Sequence, residues 1–171
     1  FLDLGRTSIA HYYFDKCREI KNDDFTNLNN LSLCKLKLKD LKNGFLLYES
    51  RFKKESDPVK KKFVNIKSPK SLNETKDKKI LVWDEQGLGD TIQFSRFVID
   101  LLKFTKNITF ALNSKLIKIF EKIDKNIKVC DSNNINEDNF DYQIPLCSLP
   151  YFLNIEKLND IKFYKLNINF D

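Results

Sequence analysis

The spacing of apolar residues divides the chain into a helical first third and a later part of alternating elements. Apolar positions within residues 9–20, 28–38 and 41–52 recur every three or four residues, as on one face of a helix. Polar breaks at residues 21–24 and 39–40 separate the three sets. The pattern predicts three consecutive helices within residues 1–55.

From residue 79 onward, short apolar runs alternate with longer amphipathic stretches. The runs at 80–83, 108–112, 127–130 and 140–144 predict strands, and residues 90–104 and 114–123 predict helices between them. This alternation favours a parallel, Rossmann-like sheet over residues 79–171. The predicted fold class is therefore α + α/β. Ligands of such sheets bind at the carboxyl ends of the strands, where residues 85–90 and 145–150 lie.

The stretch between these two parts, residues 56–78, has the composition of a linker. It contains Pro58, Pro69 and many lysines but few large apolar residues. Phe63, Val64 and Ile66 are the exceptions, and we expect them to pack the linker onto a neighbouring surface.

Equivalent residues also recur 34 positions apart in the helical part. Ala10 corresponds to Gly44, and the pairs Leu4/Leu38, Tyr13/Leu47, Phe14/Tyr48 and Asp15/Glu49 follow the same offset. Thirty-four residues is the period of tetratricopeptide repeats, and small residues at the Ala10/Gly44 position let paired helices approach closely. The alternative is a set of generic amphipathic helices in accidental register.

Composition narrows the function classes. The net charge of +6 permits a polyanionic partner, but the basic residues are scattered, so no nucleic-acid partner is predicted. The four cysteines lie far apart without a C-x-x-C pair, which argues against a zinc site and fits a reducing cytoplasm. His11 is the only histidine, so catalysis by a Ser-His-Asp or Cys-His arrangement within this chain is nearly excluded. The sequence contains no run of about eighteen apolar residues, so no transmembrane segment is predicted.

The most distinctive stretch follows the first predicted strand. Two of the four glycines, Gly87 and Gly89, lie there beside the only tryptophan, Trp83, which predicts a backbone conformation that other residues could not adopt. Ile92 stands where a dinucleotide fingerprint needs its third glycine, and a Walker Gly-Lys-Ser/Thr is absent. Asp90 is either a helix cap, paired with Gln93 in a capping box, or a general base facing a sugar hydroxyl.

Three strings of the sequence resemble one family. The string from Trp83 to Phe97, WDEQGLGDTIQFSRF, looks like that of bacterial tetratricopeptide proteins whose C-terminal half is heptosyltransferase-like. The string NGFLLYESRF at 43–52 is similar to the last repeat before that half, and DYQIPLCSLP at 141–150 is similar to a later strand and loop. The resemblance covers nearly the whole chain.

The resemblance implies a GT-B fold, of which residues 79–171 would be the first, acceptor-side half. In that family the aspartate of the Gly-Asp after the first strand is the proposed base, so Asp90 is the expected catalytic residue. We expect the substrate to be bound by Gln86, Gly87, Leu88, Gly89, Thr91, Gln93, Arg96 and Ser148. No metal site is expected, and the nucleotide-sugar donor would be held by a second half that this chain lacks.

The expected function is therefore that of a piece of a cytoplasmic glycosyltransferase, with a sugar or glycan acceptor and a protein partner bound by the repeats. We expect the piece alone to be inactive. Arg96 is the only cation near the loop, and it contacts either an anionic acceptor or a surface acid. The alternative function is a non-catalytic interaction module, in which the repeats act on a degenerate transferase scaffold. A nucleic-acid partner is the third and weakest alternative.

Overall fold

The structure, a computed structural model, describes residues 4–53 and 62–164. The chain divides into two compact units. Among the described residues, unit 1 contains 4–53 and Asn154–Ile161, and unit 2 contains 62–153 and 162–164. The predicted linker positions 56–61 and the last seven residues of the predicted second domain, 165–171, lie outside the described residues.

Unit 1 is built from three helices in chain order. They are α1 at Thr7–Ile20, α2 at Phe25–Lys37 and α3 at Leu41–Tyr48, and a 3-10 turn at Glu49–Phe52 continues α3. The polar breaks place the helix starts correctly, because Asp24 and Asp40 each accept a hydrogen bond from the backbone N–H three residues later. The predicted third helix is thus confirmed, with its last turn tightened to 3-10 geometry.

Packing in unit 1 joins consecutive helices, α1 to α2 and α2 to α3. Ala10 is the buried residue of α1, and Leu31 and Cys34 of α2 are fully buried. Gly44 of α3 lies so close to α2 that an added Cβ would stand 2.6 Å from Leu36 Cδ2. The missing side chain at Gly44 therefore permits a close contact between α2 and α3.

Unit 2 contains a four-stranded parallel sheet. Its strands are β1 at Ile80–Trp83, β2 at Ile108–Leu112, β3 at Ile127–Asp131 and β4 at Tyr142–Pro145, in the order β3-β2-β1-β4. The pairing places Ile80 beside both Ile108 and Tyr142, so the parallel arrangement predicted from the alternation is confirmed. Strand β4 begins two residues later than the apolar run predicted.

The helices of unit 2 are shorter than the sequence predicts. The stretch expected as one helix over 90–104 contains α4 at Leu88–Phe94, α5 at Arg96–Asp100 and a 3-10 turn at Leu101–Lys103. The break falls at Ser95, whose hydroxyl donates to the carbonyl of Ile92 at 2.8 Å. The stretch at 114–123 holds a 3-10 turn and only one α-helical turn, α6 at Ile117–Phe120.

One face of the sheet is covered partly by the predicted linker. Phe63 and Ile66 pack with Leu81, Trp83 and Ala111 in a buried cluster, whereas Val64 is 70% exposed. The indole N–H of Trp83 donates to Gln143 Oε1 at 2.6 Å, and Gln143 Nε2 donates to Ser68 Oγ at 2.9 Å. Two of the three expected contacts of the linker, those of Phe63 and Ile66, are therefore confirmed. Their burial stabilises the linker on the sheet because it removes apolar surface from water.

Candidate functional site

The carboxyl edge of the sheet brings together the loops that the sequence singled out. Strand β1 ends beside both β2 and β4, so the strand order reverses next to it. In open α/β sheets the crevice at such a reversal is where ligands bind. Helix α4, which follows β1, packs against the 3-10 turn Leu146–Ser148, which follows β4. The loops after β1 and β4 therefore adjoin at this edge.

Asp90 does not cap the helix that contains it. Helix α4 begins at Leu88 with Gly87 as its N-cap, which makes Asp90 the third helical residue, and no side chain caps the helix. The capping-box prediction is therefore wrong, because Gly87 brings the helix start two residues forward. The Asp90 side chain is exposed and forms no hydrogen bond or ion pair with any residue in 4–53 or 62–164. Its carboxylate is free to meet a ligand.

The two glycines of the loop do not occupy strained backbone. Gly87 has φ −66° and ψ 166°, and Gly89 has no positive φ, so the prediction of a glycine-specific conformation is wrong. The missing side chains leave space instead. A Cβ at Gly89 would meet no atom within 4 Å, and one at Gly87 would meet only Asp90 Oδ2, at 3.6 Å. The first turn of α4 is therefore open to approach from outside.

The remaining predicted substrate contacts fall into exposed and buried groups. Leu88 and Gln93 are exposed, and Gln86 is half-buried. Thr91 and Ser148 are buried, and the Thr91 hydroxyl donates to the carbonyl of Gly87 at 3.3 Å. In this conformation the exposed group can contact a ligand directly, whereas Thr91 holds the loop in place.

Arg96 does not pair with a surface acid in the part of the chain that the structure describes, which was one of the two alternatives offered by the sequence. Its Nε donates to the carbonyl of Gln93 at 2.9 Å, and its guanidinium lies 5.2 Å from the ring centroid of Phe163. It forms no ion pair with an acid among the described residues. The expected pairing with a surface acid is therefore absent from that part of the chain.

The sequence did not identify a second carboxyl at the same edge, Asp84. Asp84 directly follows β1, and its Oδ2 accepts the backbone N–H of Asn113, the first residue after β2, at 2.6 Å. Burial raises the pKa of the Asp84 carboxyl, against the opposing effects of this hydrogen bond and of Lys62. Raised carboxyl pKa values occur at catalytic sites and also in structural networks.

Lys62 and Ser132 complete this second group. Lys62 Nζ donates to Ser132 Oγ at 3.0 Å, and the Ser132 hydroxyl also favours the ionised form of Asp84. Asp84 could have been found as the first polar residue after a buried strand. Lys62 could not, because it belongs to the predicted linker and lies 70 positions from Ser132.

Residues 4–53 and 62–164 contain no group of three or more histidine, cysteine, aspartate or glutamate side chains that could hold a metal ion. Within the same ranges no helix combines the length and apolar character needed to cross a bilayer. Comparison with known proteins returned no match to any family model, curated protein or solved structure.

Proposed function

We propose that this chain is the acceptor-side portion of a heptosyltransferase-like glycosyltransferase joined to tetratricopeptide-like repeats. The observation that carries the proposal is the exposed carboxylate of Asp90 in an open glycine loop at the carboxyl end of β1. That loop adjoins the turn after β4, beside the reversal of strand order. A sugar hydroxyl approaching this edge would meet Asp90 before it met the buried sheet.

Two further features support the architecture in the proposal. The order β3-β2-β1-β4 is how a doubly wound, Rossmann-like sheet arranges its first four strands. In unit 1, the buried Ala10 and the close approach of Gly44 to Leu36 fit the small-residue positions of a 34-residue repeat.

In the proposed reaction Asp90 acts as the general base. It accepts the proton of the acceptor hydroxyl while that oxygen attacks the anomeric carbon of the donor sugar. The bond from that carbon to the nucleotide breaks, and the nucleoside diphosphate leaves with the electron pair. Positioned general bases contribute roughly 10²–10⁴-fold in rate.

Asp84 has a different role in this proposal. Its hydrogen bond to the backbone of Asn113 ties the end of β1 to the residue after β2. This contact fixes the starting point of the loop that carries Asp90. Asp84 is thus a positioning residue, acting through the loop and not on the substrate.

The experiment uses a longer protein that includes the region after residue 171, where the proposal places donor binding. Asp90→Asn should lower kcat for sugar transfer at least about a hundredfold and leave the melting temperature nearly unchanged. Asp138→Asn is the matched control, because Asp138 is an exposed acid in the β3–β4 connection. We expect its turnover to be normal. Near-normal turnover by folded Asp90→Asn would remove Asp90 from the mechanism.

The 171-residue chain itself offers a simpler check. Residues 1–171 alone should transfer no sugar, because the proposed donor-binding half is missing. Robust turnover of a nucleotide-sugar by this chain would show that the proposed division between donor and acceptor halves is wrong.

An interaction module on a transferase-like scaffold is the second candidate. It is favoured by the exposed apolar surface of α1, where Ile9, Tyr12 and Tyr13 are each more than 40% exposed. In that case, the longer protein would turn over no nucleotide-sugar. The double variant Tyr12→Ala/Tyr13→Ala would weaken binding of a purified protein partner, and Asp90→Asn would leave that binding unchanged.

A further inference from the structure

Unit 2 contains a cleft at the end of the sheet opposite to Asp90. Its volume is about 640 Å³, and its walls include Lys79, Asn107 and Asn126, each of which immediately precedes a strand. The ends of β1, β2 and β3 lie side by side there because Ile80, Ile108 and Ile127 are in register. The cleft therefore opens at the amino edge and continues along one face of the sheet past Thr109 and Cys130, and none of its described lining residues belongs to the loop proposed for sugar transfer.

Positive charge dominates the lining of this cleft. Lys79, Lys106, Lys125 and Lys128 line it, and no aspartate or glutamate appears among its described lining residues. All four lysines are exposed, and none forms an ion pair with another described residue. Four ammonium groups that form no ion pair with a described residue, placed around one concave surface, attract anions and repel cations.

Two acids beside the cleft, Asp124 and Asp141, accept hydrogen bonds from amide groups and form no ion pair with the four lysines. Asp124 Oδ1 accepts both the backbone and side-chain N–H of Asn126, at 2.8 and 3.0 Å. Asp141 Oδ2 accepts the backbone N–H of Lys79 at 2.8 Å. Both carboxylates are held by amides of the neighbouring turns, so their oxygens do not contact the lysine ammonium groups.

The other walls give the cleft a second chemical character. Asn134, Asn136 and Asn139 come from the connection between β3 and β4, which also contributes Ile135 and Phe140. Ile135 and Phe140 are partly buried against the cluster around Trp83. Amide groups can bond sugar hydroxyls or base edges, and the apolar side chains can cover a flat ring. The volume of the cleft falls within the range of small-molecule sites, which is roughly 300–1,000 Å³.

We propose that this cleft binds a small molecule that carries a diphosphate or triphosphate group. Lysine is a phosphate ligand that acts as a compact point charge, and several such charges match the concentrated negative charge of a polyphosphate chain. The cleft belongs to unit 2 alone. This inference does not depend on sugar transfer at the opposite edge, so each proposal can fail without the other.

Titration of the 171-residue chain with ATP, adenosine and inorganic triphosphate tests the proposal, with calorimetry as the readout. We expect saturable binding of ATP and triphosphate, none of adenosine, and weaker binding as salt rises. Binding of both phosphates would indicate that the polyphosphate chain is sufficient. Binding of ATP but not triphosphate would show that the Asn and apolar walls are also required.

The double variant Lys106→Gln/Lys128→Gln removes two charges from the cleft and should weaken binding about tenfold or more. Its matched control is Lys118→Gln/Lys122→Gln, which removes two exposed lysines of the same unit from outside the cleft. The control should keep its affinity. All four substitutions are at exposed positions, and thermal unfolding verifies that both proteins fold.

Three results would overturn the proposal. The first is no saturable binding of ATP or triphosphate at low salt. The second is an equal loss of affinity in both double variants, which would indicate a general effect of net charge. The third is binding of a long single-stranded RNA when neither small phosphate binds, because the ligand would then be a macromolecule held over a wider surface.

Discussion

The glycine at the contact between α2 and α3 gives the sharpest test of how unit 1 is packed. Substitution of Gly44 by alanine adds one methyl group that points at Leu36. The added Cβ would lie 2.6 Å from Leu36 Cδ2, 2.7 Å from Cγ and 3.1 Å from its backbone nitrogen. Rotation of the leucine end alone cannot relieve all three contacts, so the helices must separate slightly.

Two effects of opposite sign determine the magnitude. Alanine is favoured over glycine inside a helix by roughly 0.5–1 kcal/mol. Adding a methyl group to a packed contact costs about 1–3 kcal/mol. Since Cγ and the backbone are both approached, we place the cost near the upper end and expect a net loss of about 1–2 kcal/mol. For a unit of this size that corresponds to a melting temperature lower by on the order of 5–15 °C.

Far-UV circular dichroism gives the melting curve, and hydrogen exchange of peptides from α2 and α3 shows where protection is lost. Gly89→Ala is the matched control, because a Cβ there would meet nothing within 4 Å, and it should be neutral or stabilising. In a Leu36→Ala background the cost of Gly44→Ala should fall, because only the contact with the backbone nitrogen of residue 36 remains. A Gly44→Ala protein at least as stable as wild type, or strictly additive effects with Leu36→Ala, would refute the reasoning.

Two further predictions concern unit 2. Gln143→Leu leaves the buried indole N–H of Trp83 without an acceptor and should lower the free energy of unfolding by about 1–3 kcal/mol. Urea unfolding followed by the fluorescence of this single tryptophan measures the loss, and an unchanged midpoint would contradict the prediction. Burial raises the pKa of Asp84 in the folded protein, so stability falls as the pH rises from the unfolded-state pKa, about 3.9, through the folded-state value. Asp84→Asn should therefore raise the urea midpoint at pH 7, with the gain disappearing towards pH 4; an equal gain at both pH values would refute this.

The sequence predicted the strands well because each of them is a short, mostly apolar run that begins after a polar residue. The run at 80–83 is β1 without adjustment, and all four of its residues are buried. Helix lengths in unit 2 were predicted less well. Apolar residues continue across Ser95, but its hydroxyl bonds back to Ile92 and a break follows, which apolar spacing cannot reveal.

The candidate site was only partly accessible from the sequence. The position of the loop could be predicted, because a polar glycine loop after a buried strand lies at the carboxyl edge of a parallel sheet. The prediction that Asp90 caps the helix is wrong because the helix starts at Leu88. The two glycines at 87 and 89 suggested a loop there, so the sequence placed the helix start too late. The glycines predict a special backbone conformation, whereas in the structure their missing side chains leave open space.

The sequence by itself determined the features that depend on neighbours within a few residues. Apolar periods define the helices of unit 1 and the strands of unit 2, and Asp24 and Asp40 mark helix starts by accepting local N–H groups. Only the tertiary structure decided the strand order, the contact of Lys62 with Ser132 and the cluster of lysines at the amino edge. The physical reason is distance along the chain: burial and charge act between groups close in space, and residues 70 positions apart become neighbours only when the sheet forms.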